Sequence, residues 1–336
     1  MMKTLLDETK IGNMHLKNRF IRSSVGDKTP NGRVTEGMLK TYATLAAGGV
    51  GTIITGFTLV DEAEGFYSMP AIYNDSFIEE NKRLVETVHA QGANIILQLV
   101  YVGSYVMGDS SGHKVLGPSA VANLSTGVIP KEMNLTEIKQ VQTKFAQAAR
   151  RAQAAGFDGV EIHAAHGFLL NQFITPYYNR RDDGYGGPIE NRARMTLETF
   201  IAVRTAVGPE YPLLLKLNCD DMIEGGQTSD DFQYVGRELT KLGADGIEVS
   251  GNWYLIPPEK QTESFFLEAA ALVAKENKTA VILTGGNRDF ANMEKILNST
   301  DIGYFGLARP FIAKPDLVNN YKEKGGGSAS SSSHNL

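Results

Sequence analysis

The sequence predicts an α/β fold, specifically a (β/α)8 TIM barrel with an eight-stranded parallel core. Three observations carry that expectation. Short β-branched runs recur along the chain, each followed by a polar or Gly-rich turn and a helical pattern. The runs are apolar nearly throughout, as in parallel strands covered by helices. Polar residues stand at the C-terminal ends of nearly all of them, which is where barrel chemistry sits.

The runs, in order, are FIRSSV (20–25), GVGTIITG (49–56), NIILQLV (94–100), GVEIHAA (159–165), PLLLKLN (212–218), GIEVSG (246–251), AVILTGG (280–286) and IGYFGLA (302–308). Segments such as EIKQVQTKFAQAARRAQAAG lie between them, with apolar residues at helical spacing and a closing Gly. AAGFDGVEI and KLGADGIEV both read as a helix ended by a C-cap Gly, then a buried strand. The competing fold is an open doubly wound sheet. It is disfavoured because no GxGxxG follows the first strand. The strand-end residues, Ser23 and Ser24, Thr55 and Gly56, Gln98, His163, Lys216, Ser250, Thr284 to Asn287 and Arg309, would converge on one mouth in a barrel.

Residues 1–324 are expected to form this one barrel, and the Gly/Ser-rich segment 325–336 a disordered tail or an expression remnant outside it. With 42% hydrophobic and 21% charged residues, the 336-residue chain has the composition of a globular protein with a sizeable core. A net charge of −5 gives no electrostatic reason to expect nucleic acid or an anionic membrane as partner. Cys219 is the only cysteine, which excludes an internal disulfide and any metal site built from several cysteines of this chain. MMKTLLDETKIGNMHLKN lacks a signal-peptide core and no later run reaches membrane-span length, so a cytoplasmic location is expected. A small-molecule partner is expected, and a homo-oligomer is left open.

The last two units read ILTGGNRDF and YFGLARPFIAKPD. Loops after barrel strands seven and eight often cradle a phosphate. Gly285 and Gly286 let backbone N–H groups approach an anion, and Arg309 adds a forked cationic donor. A tight turn with a surface arginine is the plainer reading, but both loops together, in the correct order, favour phosphate. That phosphate could belong to a sugar or to a cofactor. Gln98 and Lys216 end strands three and five; a lysine within an apolar strand is costly unless it meets negative charge. Together they would suit a group that gains electrons.

His163 and His166, in EIHAAHGFLLNQF, admit three readings. A metal site would need a third ligand; Glu161 lies roughly 7 Å deeper along a regular strand, so no metal is expected. Two buried core histidines would each need partners. Two imidazole N–H groups converging on one oxygen could stabilise an enolate, and that reading fits best.

The segments KNRFIRSS, IITGFTLV, ILQLVYVG, EIHAAHGFLLNQF, NRRDDGYGGPIENRARM, LLKLNCDD, ILTGGN and FGLARPFIAKPD resemble the Old Yellow Enzyme family, FMN-dependent ene-reductase barrels also called NADH:flavin oxidoreductases. The likeness runs in order to about Tyr321 and is to the single-domain members. It implies FMN over the mouth, with NADH or NADPH as hydride donor. Ser23, Ser24 and Val25 would line the flavin, Gly56 and Phe57 would sit near its rings, and Gln98 and Lys216 would meet its pyrimidine edge. Gly286, Ala308 and Arg309 would hold the phosphate, alongside Gly285. His163 and His166 match the pair that binds the substrate carbonyl.

The chain departs from the pattern at Phe168, where members usually carry tyrosine. Phe168 cannot be a general acid, so Tyr101, Tyr177, Tyr178 or solvent are the nearby proton sources, and acceptors needing no carbon protonation gain ground. Some members place a redox-tuning cysteine after the first strand, where this chain has Gly26, Asp27 and Lys28. Lys28, Tyr101, Phe168 and Tyr178 are therefore the expected substrate-pocket residues. Cys219 reads as small packing, and NRRDDGYGGPIENRARM as architecture leading into a helix near Ile189. The expected function is hydride transfer from NAD(P)H through flavin to an unsaturated carbonyl, quinone or nitro compound. The competing readings are a sugar-phosphate lyase or isomerase using Lys216 as Schiff-base amine, and a flavin-binding protein whose ene-reductase activity has decayed.

Overall fold

A computed structural model describes residues 2–326 apart from 65–67, 107–111, 253–254, 257–258, 260 and 277. Of the Gly/Ser-rich segment, everything from residue 327 onward lies outside the described residues.

All eight expected strands form: β1 (Phe20–Arg22), β2 (Thr52–Ile54), β3 (Asn94–Val100), β4 (Gly159–Ala164), β5 (Leu213–Asn218), β6 (Gly246–Ser250), β7 (Ala280–Leu283) and β8 (Tyr304–Leu307). Every neighbouring pair is parallel, and β8 pairs with β1, so the sheet closes on itself. Several strands stop short of the apolar runs that announced them. Ser23 to Val25, Thr55 and Gly56, and Thr284 to Gly286 leave the sheet as loops and carry polar groups to the mouth.

The eight longest helices among the described residues are α1 (Glu36–Ala47), α2 (Ile78–His89), α3 (Leu135–Ala154), α4 (Arg194–Val207), α5 (Ser229–Lys241), α6 (Leu267–Glu276), α7 (Phe290–Ser299) and α8 (Leu317–Glu323). The longest, α3, starts at a reciprocal cap: Asn134 accepts from the Glu137 amide and Glu137 from the Asn134 amide, each at 2.9 Å. Among the described residues no helix is long and apolar enough to cross a membrane.

Strand alternation sorts the side chains into two cores. On β5, Leu213, Leu215 and Leu217 join the large core under the helices. Leu214 instead meets Ile21, Ile54, Ile96 and Ile282 inside the barrel. There an antiparallel hairpin, Thr9–Ile11 with Met14–Leu16, adds Ile11, Met14 and Leu16 and closes the floor. Two residues along each strand the lining changes character. Gln98 follows Ile96 and Lys216 follows Leu214, so a polar layer rests on an apolar floor.

In the stretch NRRDDGYGGPIENRARM the expected helix and arginine–acid pairs form. A short helix spans Ile189–Arg192. Arg181 pairs with Asp183 at 2.5 Å, and Arg192 with Asp231 on α5 at 2.7 Å.

Candidate active site

The register sets the polar layer. Lys216 on β5 is level with His163 on β4 and with Glu248 on β6, while Gln98 on β3 is level with Glu161 on β4. Lys216 Nζ lies 2.8 Å from Glu248 Oε2. Ser23 Oγ donates to the other Glu248 oxygen at 2.5 Å, and Gln98 Nε2 donates to Glu161 at 2.6 Å. Lys216 thus meets the negative charge its burial demands, and it meets it within the protein. Burial holds the Glu161 carboxyl well above the usual carboxylate range, and neighbouring Glu248 adds to the effect.

Above this layer the chain turns sharply. His166 (φ 58°) and Gly167 (φ 75°) are both left-handed, which reverses the backbone just past β4. The turn is pinned from two sides. The His166 amide donates to Asn218 at 3.1 Å, and the Gly167 amide to Asn171 at 2.7 Å. Both asparagines are buried, and Asn218 is itself held by Asp221 at 2.7 Å.

This geometry places the two imidazoles 5.1 Å apart between ring centroids. Burial, with Lys216 nearby, pushes His166 down to about 3 and His163 well below its ordinary value. Both rings are therefore neutral near pH 7, and each has one N–H to give. His163 Nδ1 accepts the Ala165 amide at 3.2 Å, which puts the His163 proton on Nε2. His166 Nε2 lies 2.7 Å from Ser250 Oγ.

A cavity of about 530 Å³ opens beside these residues. Its lining includes Ser23, Ser24, His166, Lys216 and Ser250 together with Gly285, Gly286, Arg288, Ala308 and Arg309. Most of the expected cofactor residues are thereby gathered in one place. Phe57, Phe168 and His163 form an adjoining aromatic wall, with the Phe168 ring 5.3 Å from Phe57 and 4.8 Å from His163. Val25 is half-buried in the loop after β1.

Gly56 is packed rather than open. A Cβ there would meet the Val25 carbonyl at 2.7 Å, and its amide already donates to Tyr42 at 2.9 Å. The expected substrate residues differ in exposure. Lys28 is exposed, Tyr101 is buried, and the Tyr178 oxygen accepts the Leu124 amide at 3.3 Å. Cys219 is buried, its thiol pushed up to about 12 by burial, in keeping with packing.

Residues 5–325 match the profile of the NADH:flavin oxidoreductase / NADH oxidase family. The chain belongs to this family. It is 35% identical to a "Metal reductase" of Desulforamulus reducens across 95% of this chain and 48% of that protein. Its backbone superposes on a 2-naphthoyl-CoA reductase in complex with 2-naphthoyl-CoA with a TM-score of 0.90, at 26% identity, over 96% of this chain and 53% of that one. On an Old Yellow Enzyme homologue from Zymomonas mobilis the TM-score is 0.83, at 26% identity, over 96% and 93%. The chain spans about half the length of the first three curated relatives, between 48% and 53%.

The cofactor of the NADH:flavin oxidoreductase family is FMN, and the residues present fit it. Gln98 Oε1 is buried without a hydrogen-bond partner, which suits a ring N–H at that depth. Gly285 (φ 85°) and Gly286 (φ 79°) put a glycine backbone on the cavity wall beside Arg309, a lining chemically suited to phosphate.

Two contributors escaped the sequence reading. Glu248 sits two residues before Ser250 in GIEVS, on the same inward face, and period-two counting from that serine could have found it. Tyr105 lies in the loop after β3, its ring 5.5 Å from Phe168 and nearly perpendicular to it at 83°. No local signal in YVGSYV marks it.

Proposed function

We propose that this chain is the FMN-holding barrel of an oxidoreductase that takes hydride from NADH or NADPH and passes it to an electron-poor small molecule. An α,β-unsaturated carbonyl, a quinone or a nitro compound would serve as acceptor. The observation that carries the reading is one cavity whose lining joins phosphate-binding chemistry to neutral His166 and a buried lysine, with neutral His163 beside it.

FMN supplies the hydride relay when bound. Gly285, Gly286, Ala308 and Arg309 would hold its phosphate, and Gln98 its pyrimidine edge. The His163 and His166 N–H groups would polarise an acceptor oxygen and stabilise the negative charge that develops there. Their neutrality matters, because a neutral donor pair need not surrender a proton to do so. Phe57 and Phe168 exclude water from one side of the reacting centre. Ser23 and Lys216 fix the Glu248 carboxyl, so no unpaired charge is left under the site.

The Lys216–Glu248 ion pair argues against a Schiff-base role for the lysine, which would need a free amine. We place the barrel at residues 1–324, with the Gly/Ser-rich remainder outside it. The test is an absorption spectrum of the purified, FMN-supplemented protein, followed by anaerobic titration with NADPH and NADH. Flavin bands that bleach with either nucleotide support the reading. Protein that takes up no FMN overturns it. Stable FMN without turnover against a broad acceptor panel would point to decayed activity.

A further inference from the structure

We infer that Tyr105 is the catalytic proton donor of this site, delivering its phenolic proton to the α-carbon of an unsaturated carbonyl. The inference rests on the flavin-dependent reading above. Adding hydride to the β-carbon of a C=C bond leaves an electron pair on the α-carbon and oxygen, and a proton must neutralise it. Phe168, beside both histidines in the sequence and in ring contact with His163, has none to give.

Tyr105 packs against both Phe168 and the turn that precedes it. Its ring lies edge-on to Phe168 at 5.5 Å. It also lies over the turn that carries the histidines, because a Cβ on Gly167 would stand 3.5 Å from Tyr105 Cδ2. One phenol ring thus packs against both Gly167 and Phe168. The other tyrosines near the mouth stand in different surroundings. Tyr178 Oη accepts the Leu124 amide, Tyr101 is buried, and the Tyr177 ring packs against Tyr178 and Arg180. Among the described residues nothing hydrogen-bonds the Tyr105 oxygen.

The step balances. Two electrons arrive with the hydride as a new C–H bond at the β-carbon, and the π pair moves toward the carbonyl. The Tyr105 O–H bond then breaks as the α-carbon C–H bond forms. Half-buried Tyr105 regains its proton from water.

The experiment uses the full chain with FMN, reduced anaerobically by NADPH or NADH, then mixed with 2-cyclohexenone or with 1,4-benzoquinone. A quinone takes its protons on oxygen, in exchange with solvent, and needs no carbon acid. Tyr105→Phe should slow reoxidation by the enone by about a hundredfold or more while changing the quinone rate less than about twofold. The affinity of the oxidised protein for cyclohexanone, read from the shift of the flavin bands, should not change. Adding Phe168→Tyr to Tyr105→Phe should restore at least about tenfold of the lost enone rate. An unchanged enone rate in Tyr105→Phe overturns the assignment, as does equal slowing with both acceptors. So does a wild-type protein that quinone reoxidises and the enone does not. A protein that takes up no FMN is recognised before any acceptor is added, and its failure belongs to the flavin reading instead.

Discussion

Lys216 on β5 and Glu248 on β6 form an ion pair at 2.8 Å within the barrel, with both side chains almost wholly shielded from water. Ser23 completes the coordination of Glu248, and Glu161 lies close enough to share the same field. The barrel can carry a polar layer here because each charge has a partner from a neighbouring strand. Breaking such a pair leaves the surviving charge stranded. Lys216→Met should therefore destabilise the fold by about 3–5 kcal/mol, read as a fall in the urea midpoint. A change near zero would mean that water already reaches Glu248.

The histidine pair makes stability depend on acidity. Both folded-state values lie below the ordinary 6.5, His166 at about 3, so the unfolded chain binds more protons than the native one below that ordinary value. Their contribution is fully present above 6.5 and is lost as pH falls through the window toward 3. Glu161, with its raised carboxyl, acts with the opposite sign, losing stability as pH rises above its unfolded value. Comparing wild type with a His163→Asn/His166→Asn variant isolates the histidines. Between about pH 7 and about pH 4 the thermal midpoint should fall more steeply in the wild type. Parallel curves would show the imidazoles to be solvated.

The same two residues should matter to chemistry independently of cofactor retention. His163→Ala/His166→Ala should keep its flavin spectrum yet lose about a hundredfold or more in kcat/KM for 2-cyclohexenone, as when oxyanion donors are removed. Retained turnover in that variant would remove the donor-pair assignment.

Gly286 offers a test of the phosphate wall. Its φ of 79° disfavours any L side chain, and a Cβ there would stand 2.6 Å from the Thr262 carbonyl. Gly286→Ala should cost about 1–3 kcal/mol in backbone strain and shift the loop. FMN occupancy, measured as the ratio of visible to ultraviolet absorbance, should fall. A variant with full occupancy would show that this loop does not shape the cofactor site.

Local information was enough for the strands, the helices between them and the loops after β7 and β8. A strand pattern depends on residues two apart, a helix on residues three and four apart, and a glycine turn on one or two positions. All are written within a few residues of one another. The departure at Phe168 was equally plain from the residue type alone. Gln98 and Lys216 could be marked as polar residues on inward faces for the same reason.

Tertiary structure alone decided the partners. Lys216 and Glu248 are 32 residues apart, Gln98 and Glu161 63, and Ser23 and Glu248 225. They meet because closing the barrel fixes a register between neighbouring strands, and no local period encodes that register. The same closure put the Glu248 carboxylate against the lysine expected to meet a cofactor. It also brought the loop after β3 across the turn after β4, so that Tyr105 lies against Phe168. Packing across loops depends on the positions of their anchoring strands, which is why the phenol packed against Phe168 could be found only in three dimensions.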